Sequence, residues 1–243
     1  MRVLILGGNG YLGPHVVKAL EREHELRITD IKPPAEKSRH EFLHVDVASW
    51  EQVRKAADGM DAIINLSVLR SDRKLAFDVN TRGCYHMMLA AVEHGIRRVI
   101  NTGPHLVVSG QPYERFDFGI APDVPPQPGT QLYALTKSLG QEICRVFAQH
   151  HEIHVQEYLF FSLRDMASLT PGADATPFSI SWGDAGEVFR LGLEIDLVKL
   201  PSRCEIFFVF ADMPHGQFVN DKVKQVLGFR TKDDLSVLWR KAN

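Results

Sequence analysis

The stretch that decides the fold is Val3-Leu4-Ile5-Leu6-Gly7-Gly8-Asn9-Gly10-Tyr11-Leu12-Gly13. Four consecutive apolar residues bounded by glycine read as a strand buried on both faces. They run straight into glycines at a GxxGxxG spacing, after which Val16, Val17 and Leu20 recur at helical intervals. Strand, tight turn and helix in that order open a βαβ unit. The first glycine permits the turn, the second lets backbone N–H groups approach a bound anion, and the third lets helix and strand pack closely. The helix N-terminus faces the same turn with its partial positive charge.

Outward from that segment, short apolar runs alternate with longer helical patterns. Strands are expected at Val3 to Leu6, Leu26 to Thr29, Phe42 to Val45, Ala62 to Leu66, Val99 to Asn101 and Val155 to Phe160. The alternation predicts an α/β fold, a doubly wound parallel sheet of the Rossmann type, over residues 1–162, with a small substrate-side portion over 163–243 packed on it. A helix over Leu75 to His94 carries Phe77, Cys84, Met88, Ala91 and Val92 as its expected core stripe. Another after Tyr133 carries Leu135, Leu139, Ile143, Val146 and Phe147. From Gly103 to Gln131 the chain turns to Pro, Gly and polar residues, which excludes regular structure over most of it and marks a functional loop. A second irregular stretch, Ser168 to Gly183, leads to a helical run from Asp184 to Leu197, a strand-like Glu205 to Phe210 and a polar tail.

A glycine turn can serve βα geometry alone, so the residues beyond it matter. Asp30 ends the second strand at the spacing where an acid takes the adenosine ribose hydroxyls of a dinucleotide and repels a 2′-phosphate. The expected cofactor is therefore NAD, seated on Gly7, Gly10, Tyr11, Leu12 and Gly13. Lys32, two residues past Asp30, can accept a phosphate and leaves NADP as the lesser choice. Asp46 and Val47 follow the third strand, where they can meet the adenine edge, although an aspartate at a strand end has an equally ordinary structural use.

The whole composition narrows the function classes. The chain has 243 residues, 44% of them hydrophobic and 24% charged, with a formal net charge of −2. That balance suits one globular unit and gives no general attraction for nucleic acid or anionic membranes. Three widely spaced cysteines without a CxxC pair suggest neither a disulfide framework nor a zinc site, and no metal is expected. The apolar run after Met1 is too short for a signal peptide or a membrane span, so the expected location is the cytoplasm.

Tyr133-Ala134-Leu135-Thr136-Lys137 places a phenol and an ammonium at i and i+4, on one helix face. A tyrosine exchanges protons usefully near neutral pH when a neighbouring cation stabilises its phenolate. A solvated surface pair is the alternative for YxxxK alone. With the N-terminal glycine turn, Asp30, Asp78-Val79-Asn80, Ala121-Pro122-Asp123-Val124-Pro125 and the run Tyr133 to Glu142, the chain resembles the extended short-chain dehydrogenase/reductase family. Within it, the resemblance is to NAD-dependent sugar epimerases, dehydratases and uronate dehydrogenases.

The resemblance implies that Tyr133 transfers the proton and that Lys137 lowers its pKa and holds the nicotinamide ribose. It places Leu66 and Ser67, after the fourth strand, beside the cofactor, and makes Asn80 a supporting residue, with capping of a strand end or helix an equal alternative for these positions. It implies a homodimer built on the helices at Leu75 to His94 and Tyr133 to His150. It also suggests a substrate-covering role for Ser179 to Trp182.

Two departures stand out. Where the family has a Ser/Thr-rich turn after the fifth strand, this chain reads Asn101-Thr102-Gly103-Pro104-His105. Thr102 can substitute for the missing hydroxyl, and His105 can donate the hydrogen bond or shuttle a proton, or be a loop histidine without a role. The segment after Ser162 is also short for a family substrate domain. Arg164 follows the sixth strand, where it can hold a carboxylate or phosphate in a bidentate contact, or serve only as a surface arginine. Two functions follow. One is an NAD-dependent oxidoreductase or epimerase acting on a sugar, sugar acid or nucleotide sugar. The other is a non-catalytic NAD(P)-binding sensor with a degenerate site.

Overall fold

The computed structural model describes residues 1–34, 38–110, 118–169, 175–214 and 216–239. Its strands are β1 (Arg2–Leu6), β2 (Glu25–Asp30), β3 (Glu41–His44), β4 (Ala62–Asn65), β5 (Arg98–Pro104), β6 (His154–Phe160), β7 (Ser162–Arg164), β8 (Ser179–Ser181) and β9 (Cys204–Phe208). Its α-helices are α1 (Gly13–Leu20), α2 (Trp50–Ala57), α3 (Arg73–Ala76), α4 (Gly83–Glu93), α5 (Leu106–Ser109), α6 (Leu132–His150), α7 (Trp182–Glu194) and α8 (Asp221–Leu227).

Seven strands form one sheet in the order β3-β2-β1-β4-β5-β6-β9, and every pairing in it is parallel. The order reverses between β1 and β4, so the connections leave that edge in opposite directions and open a crevice at the strands' carboxyl ends. Strand alternation sorts the core into two layers. Val3 and Ile5 join the cluster beneath α1, α7 and α8, whereas Leu4 and Leu6 join the cluster beneath α2, α4 and α6. The portion from residue 163 onward supplies β9, α7 and α8 to this same body.

Several elements differ from the sequence reading. β5 runs on to Pro104 and is followed by the single turn α5, so the expected loop starts with regular structure; its residues 111–117 lie outside the described residues. The second irregular stretch contains β8, and the polar tail contains α8. The α6 stripe is also corrected. Its buried residues are Ala134, Thr136, Lys137, Gly140, Gln141, Cys144 and Ala148, whereas Leu139 and Val146 are 40% and 39% exposed. Small and polar residues face inward because the helix lies close to the sheet and carries the site on that face. Phe77 and Val92 are likewise exposed, while Cys84, Met88 and Ala91 are buried as expected. Between α3 and α4 the chain makes a π-helical segment over Phe77–Arg82, a geometry frequent at functional sites. No helix among the described residues is long and apolar enough to cross a membrane.

Candidate active site

The glycine turn sits at the crevice. Gly7 adopts φ 74°, and a Cβ there would come within 2.8 Å of the Ser67 backbone. A Cβ at Gly13 would lie 1.8 Å from the Gly8 carbonyl oxygen, so only glycine lets α1 start this close to the strand. Pro14 occupies the first turn of α1, where its missing N–H costs no helical bond. Asp30 steadies the turn from β2, its carboxylate accepting from the backbone N–H of Asn9 and of Lys32, each at 3.1 Å. These residues fit a dinucleotide. Gly7 and Gly10 open onto the cleft, the helix end is positive, and an acid stands beside the turn.

A cleft of about 480 Å³ extends from this turn across the crevice. Gly7, Gly10, Tyr11, Leu12 and Leu66 line it together with Thr102, Tyr133, Lys137 and Arg70. The pair from α6 thus faces the same space as the glycine turn. Gln131 caps α6 by accepting from the Ala134 N–H at 2.7 Å, which fixes the helix start that carries Tyr133.

Lys137 is 2% exposed, and its ammonium donates to the carbonyl oxygens of Ser67 at 2.8 Å and Thr102 at 2.9 Å. Burial pushes its pKa down, against the pull of nearby Cys84 and Glu157. Behind it runs a buried polar chain. Asn65 accepts from the Ser67 N–H and donates to Asn101, which donates to the Glu157 carboxylate at 2.9 Å. Burial raises Glu157 to about 7. Tyr133 is half-buried and its pKa is pushed up by that burial, while the Arg70 guanidinium opposes the rise. The guanidinium carbon stands 5.2 Å from the Tyr133 ring centroid.

The turn after β5 is arranged differently from the family pattern. The Thr102 hydroxyl borders the cleft but donates to the Asn65 carbonyl at 2.8 Å. A Cβ at Gly103 would meet Gln141 Nε2 at 2.8 Å and Leu159 at 3.3 Å, so a side chain at this position points at the core. His105 is not among the cleft-lining residues. Its ring stacks on Phe178 with centroids 4.7 Å apart and meets Phe161 and Phe218 edge-on, and burial lowers its pKa to about 4.

Other expected site residues are dispersed. Asp46 accepts from the Ala48 N–H at 2.9 Å, a local turn before α2, and Val47 is buried beside Gly83. Asn80 is buried and ties the loop after β4 to α6. Its amide donates to the Leu69 carbonyl at 2.6 Å and to the Thr136 hydroxyl at 3.0 Å, and its oxygen accepts from the Leu69 N–H at 3.0 Å. Arg164 ends β7 and is not on the cleft wall, although its neighbour Leu163 is. The Ser181 hydroxyl caps α7 by accepting from the Asp184 N–H. The sequence reading missed Arg70, Gln131, Phe160 and Phe161, all on the wall. Arg70 had no motif signal, because the loop after β4 that carries it has no spacing of its own.

Residues 3–163 match the model of the NAD dependent epimerase/dehydratase family. The chain belongs to this family. It is thereby an NAD-dependent enzyme of the epimerase/dehydratase type. The chain is 24% identical to an NAD-dependent glucose-6-phosphate dehydrogenase from Haloferax volcanii, over 96% of this chain and 93% of the relative. It is 28% identical to a uronate dehydrogenase from Pseudomonas putida, over 63% of this chain and 57% of that one. Among solved structures, a mutant uronate dehydrogenase from Agrobacterium tumefaciens complexed with NAD superposes with a TM-score of 0.81. That likeness covers 96% of this chain and 84% of that one at 21% identity, and it concerns the epimerase/dehydratase fold.

Proposed function

We propose that the chain oxidises a secondary hydroxyl, or the anomeric hydroxyl, of a sugar or sugar acid, with Tyr133 as the proton acceptor and Lys137 as its support. The observation that carries this reading is that Tyr133 and Lys137 wall the same cleft as the glycine turn. The kinds of relative found, a sugar-phosphate dehydrogenase and uronate dehydrogenases, support the substrate class.

Bound NAD supplies a hydride acceptor, while this chain's residues handle the proton and the geometry. Tyr133 takes the hydroxyl proton as the carbon–hydrogen bond breaks, leaving a carbonyl. The Arg70 guanidinium favours the phenolate that burial disfavours. Lys137 also ties the loop after β4 to strand β5, holding that part of the cleft wall in place. An epimerase would return the hydride to the intermediate, and a dehydrogenase would release NADH. The chain is therefore to be incubated with NAD and a panel of uronic acids, sugar phosphates, aldoses and nucleotide sugars. NADH or a mass-shifted or isomeric product supports this reading. Tight NAD binding with no product from any of them would favour the sensor, as the committed Thr102 hydroxyl and the buried His105 would then suggest.

We also infer a homodimer. The exposed apolar residues Tyr85 and Val92 on α4, and Leu139 and Val146 on α6, recur at seven-residue spacing on one face of each helix. The Tyr85 ring meets Phe147 edge-on at 5.8 Å, joining the two faces. Light scattering should give twice the chain mass, and Leu139→Asp combined with Val146→Asp should halve it. A monomeric wild type would remove this part of the reading.

A further inference from the structure

Arg70 lines the cleft beside Tyr133. Its backbone is fixed, because Asn80 grips Leu69 through both the N–H and the carbonyl and holds the Thr136 hydroxyl on α6 as well. The base of the Arg70 side chain is thus tied to the helix that carries Tyr133. The side chain is exposed and lies over the Tyr133 ring at 5.2 Å from its centroid.

The charges around it leave few alternatives. The cleft wall contains two cations, Arg70 and Lys137, and no aspartate or glutamate among the described residues. The Lys137 ammonium already donates to two backbone carbonyls. The ion pairs nearest Arg70 in sequence join Lys74 and Arg82 to Asp78, and Arg70 pairs with no carboxylate among the described residues. The wall also contains the apolar Phe160, Phe161 and Leu163. The Arg70 guanidinium also hydrogen-bonds the Tyr133 side chain, and its remaining N–H donors can meet carboxylate or phosphate oxygens.

We propose that Arg70 is the specificity-determining residue of this site, recognising an anionic substituent, a carboxylate or a phosphate, on the sugar whose hydroxyl meets Tyr133. The inference rests on the sugar reading given above and assigns to Arg70 the anion contact expected of Arg164. It sets Arg70, in the loop after β4, apart from the glycine turn that would hold the cofactor's pyrophosphate.

The test uses the full chain loaded with NADH, so that no oxidation proceeds, and measures binding by calorimetry. The probes are D-glucuronate against its methyl ester, and D-glucose 6-phosphate against D-glucose. Wild type should bind at least one anion about tenfold or more tightly than its neutral partner, and the arm that responds identifies carboxylate or phosphate. Arg70→Gln should abolish that preference while leaving NADH affinity within about twofold, and Arg70→Lys should keep part of it. No preference in wild type, or one that survives in Arg70→Gln, overturns the proposal. So does a loss of NADH affinity that accounts for the change. Arg70-dependent anion binding without turnover under NAD would leave this inference standing and sink the proposed oxidation. Turnover that needs Tyr133, with an anion preference indifferent to Arg70, would do the reverse.

Discussion

Lys137 donates its ammonium proton to the carbonyl oxygen of Ser67 across 2.8 Å, linking the middle of α6 to the loop that leaves β4. With its second bond to Thr102, the side chain holds that part of the cleft wall and leaves little of its charge exposed to water. A buried cation so placed is both a structural tie and an electrostatic source.

Lys137→Met should therefore show two losses. The two carbonyls it serves would be left without a donor, which costs about 1–3 kcal/mol per buried polar group, read as a lower midpoint in urea unfolding. Turnover should fall at least about 100-fold, the size of effect expected when proton transfer loses its support. A stable variant with full turnover would contradict both roles.

The glycine turn makes a graded prediction. At Gly13 an added Cβ would stand 1.8 Å from the Gly8 carbonyl oxygen, whereas at Gly10 it would stand 3.3 Å from that of Gly7. Gly13→Ala must push α1 off the strand and should destabilise the fold by about 1–3 kcal/mol, while Gly10→Ala should leave stability nearly intact. Gly10→Ala should still weaken NAD binding, because Gly10 lines the cleft at the turn expected to take the phosphates. Unfolding curves and NAD titrations on the two variants separate packing from binding.

Opposed pH dependences are expected from His105 and Glu157. His105 is lowered to about 4 from an ordinary 6.5, so the stability it contributes is present above pH 6.5 and is lost as pH falls through 4. Glu157 is raised to about 7 from an ordinary 4.5, so its contribution is present below pH 4.5 and is lost as pH rises through 7. Each unit of separation corresponds to about 1.4 kcal/mol. Relative to wild type, His105→Phe should gain stability at pH 4–5, and Glu157→Gln should gain it at pH 7–8. Thermal melts over pH 4–8 check both, and a difference curve sloping the other way would show that the neutral forms are not the buried ones.

The sheet was legible because parallel strands buried on both faces are short unbroken apolar runs, and Val3 to Leu6 or Ala62 to Leu66 can be little else. β8 was hidden because Ser179 and Ser181 are polar yet fully buried, satisfied locally by Thr176 and by the start of α7. The buried stripe of α6 was misread for a related reason. Its large apolar residues point outward, and Lys137 and Gln141 point in, so hydrophobic periodicity selected the wrong face. The Tyr133 and Lys137 spacing led to two residues that share a cleft, because helix geometry is local. Arg70 was not legible, since it reaches the cleft only through the grip of Asn80 on Leu69, a contact between segments that no spacing encodes. For the same reason His105 looked like a loop histidine, until three phenylalanines from distant segments closed around it.

The central claim is that Tyr133 transfers the proton in a cleft built for NAD, and one variant tests it most directly. Tyr133→Phe keeps the ring beside Arg70 and removes only the hydroxyl. NADH formation, or product formation followed by mass spectrometry, is to be measured for wild type and variant with a substrate found in the sugar panel, alongside NAD affinity. The account predicts a fall in turnover of about 100-fold or more, with NAD affinity changed by less than about threefold. Undiminished turnover in Tyr133→Phe would contradict it.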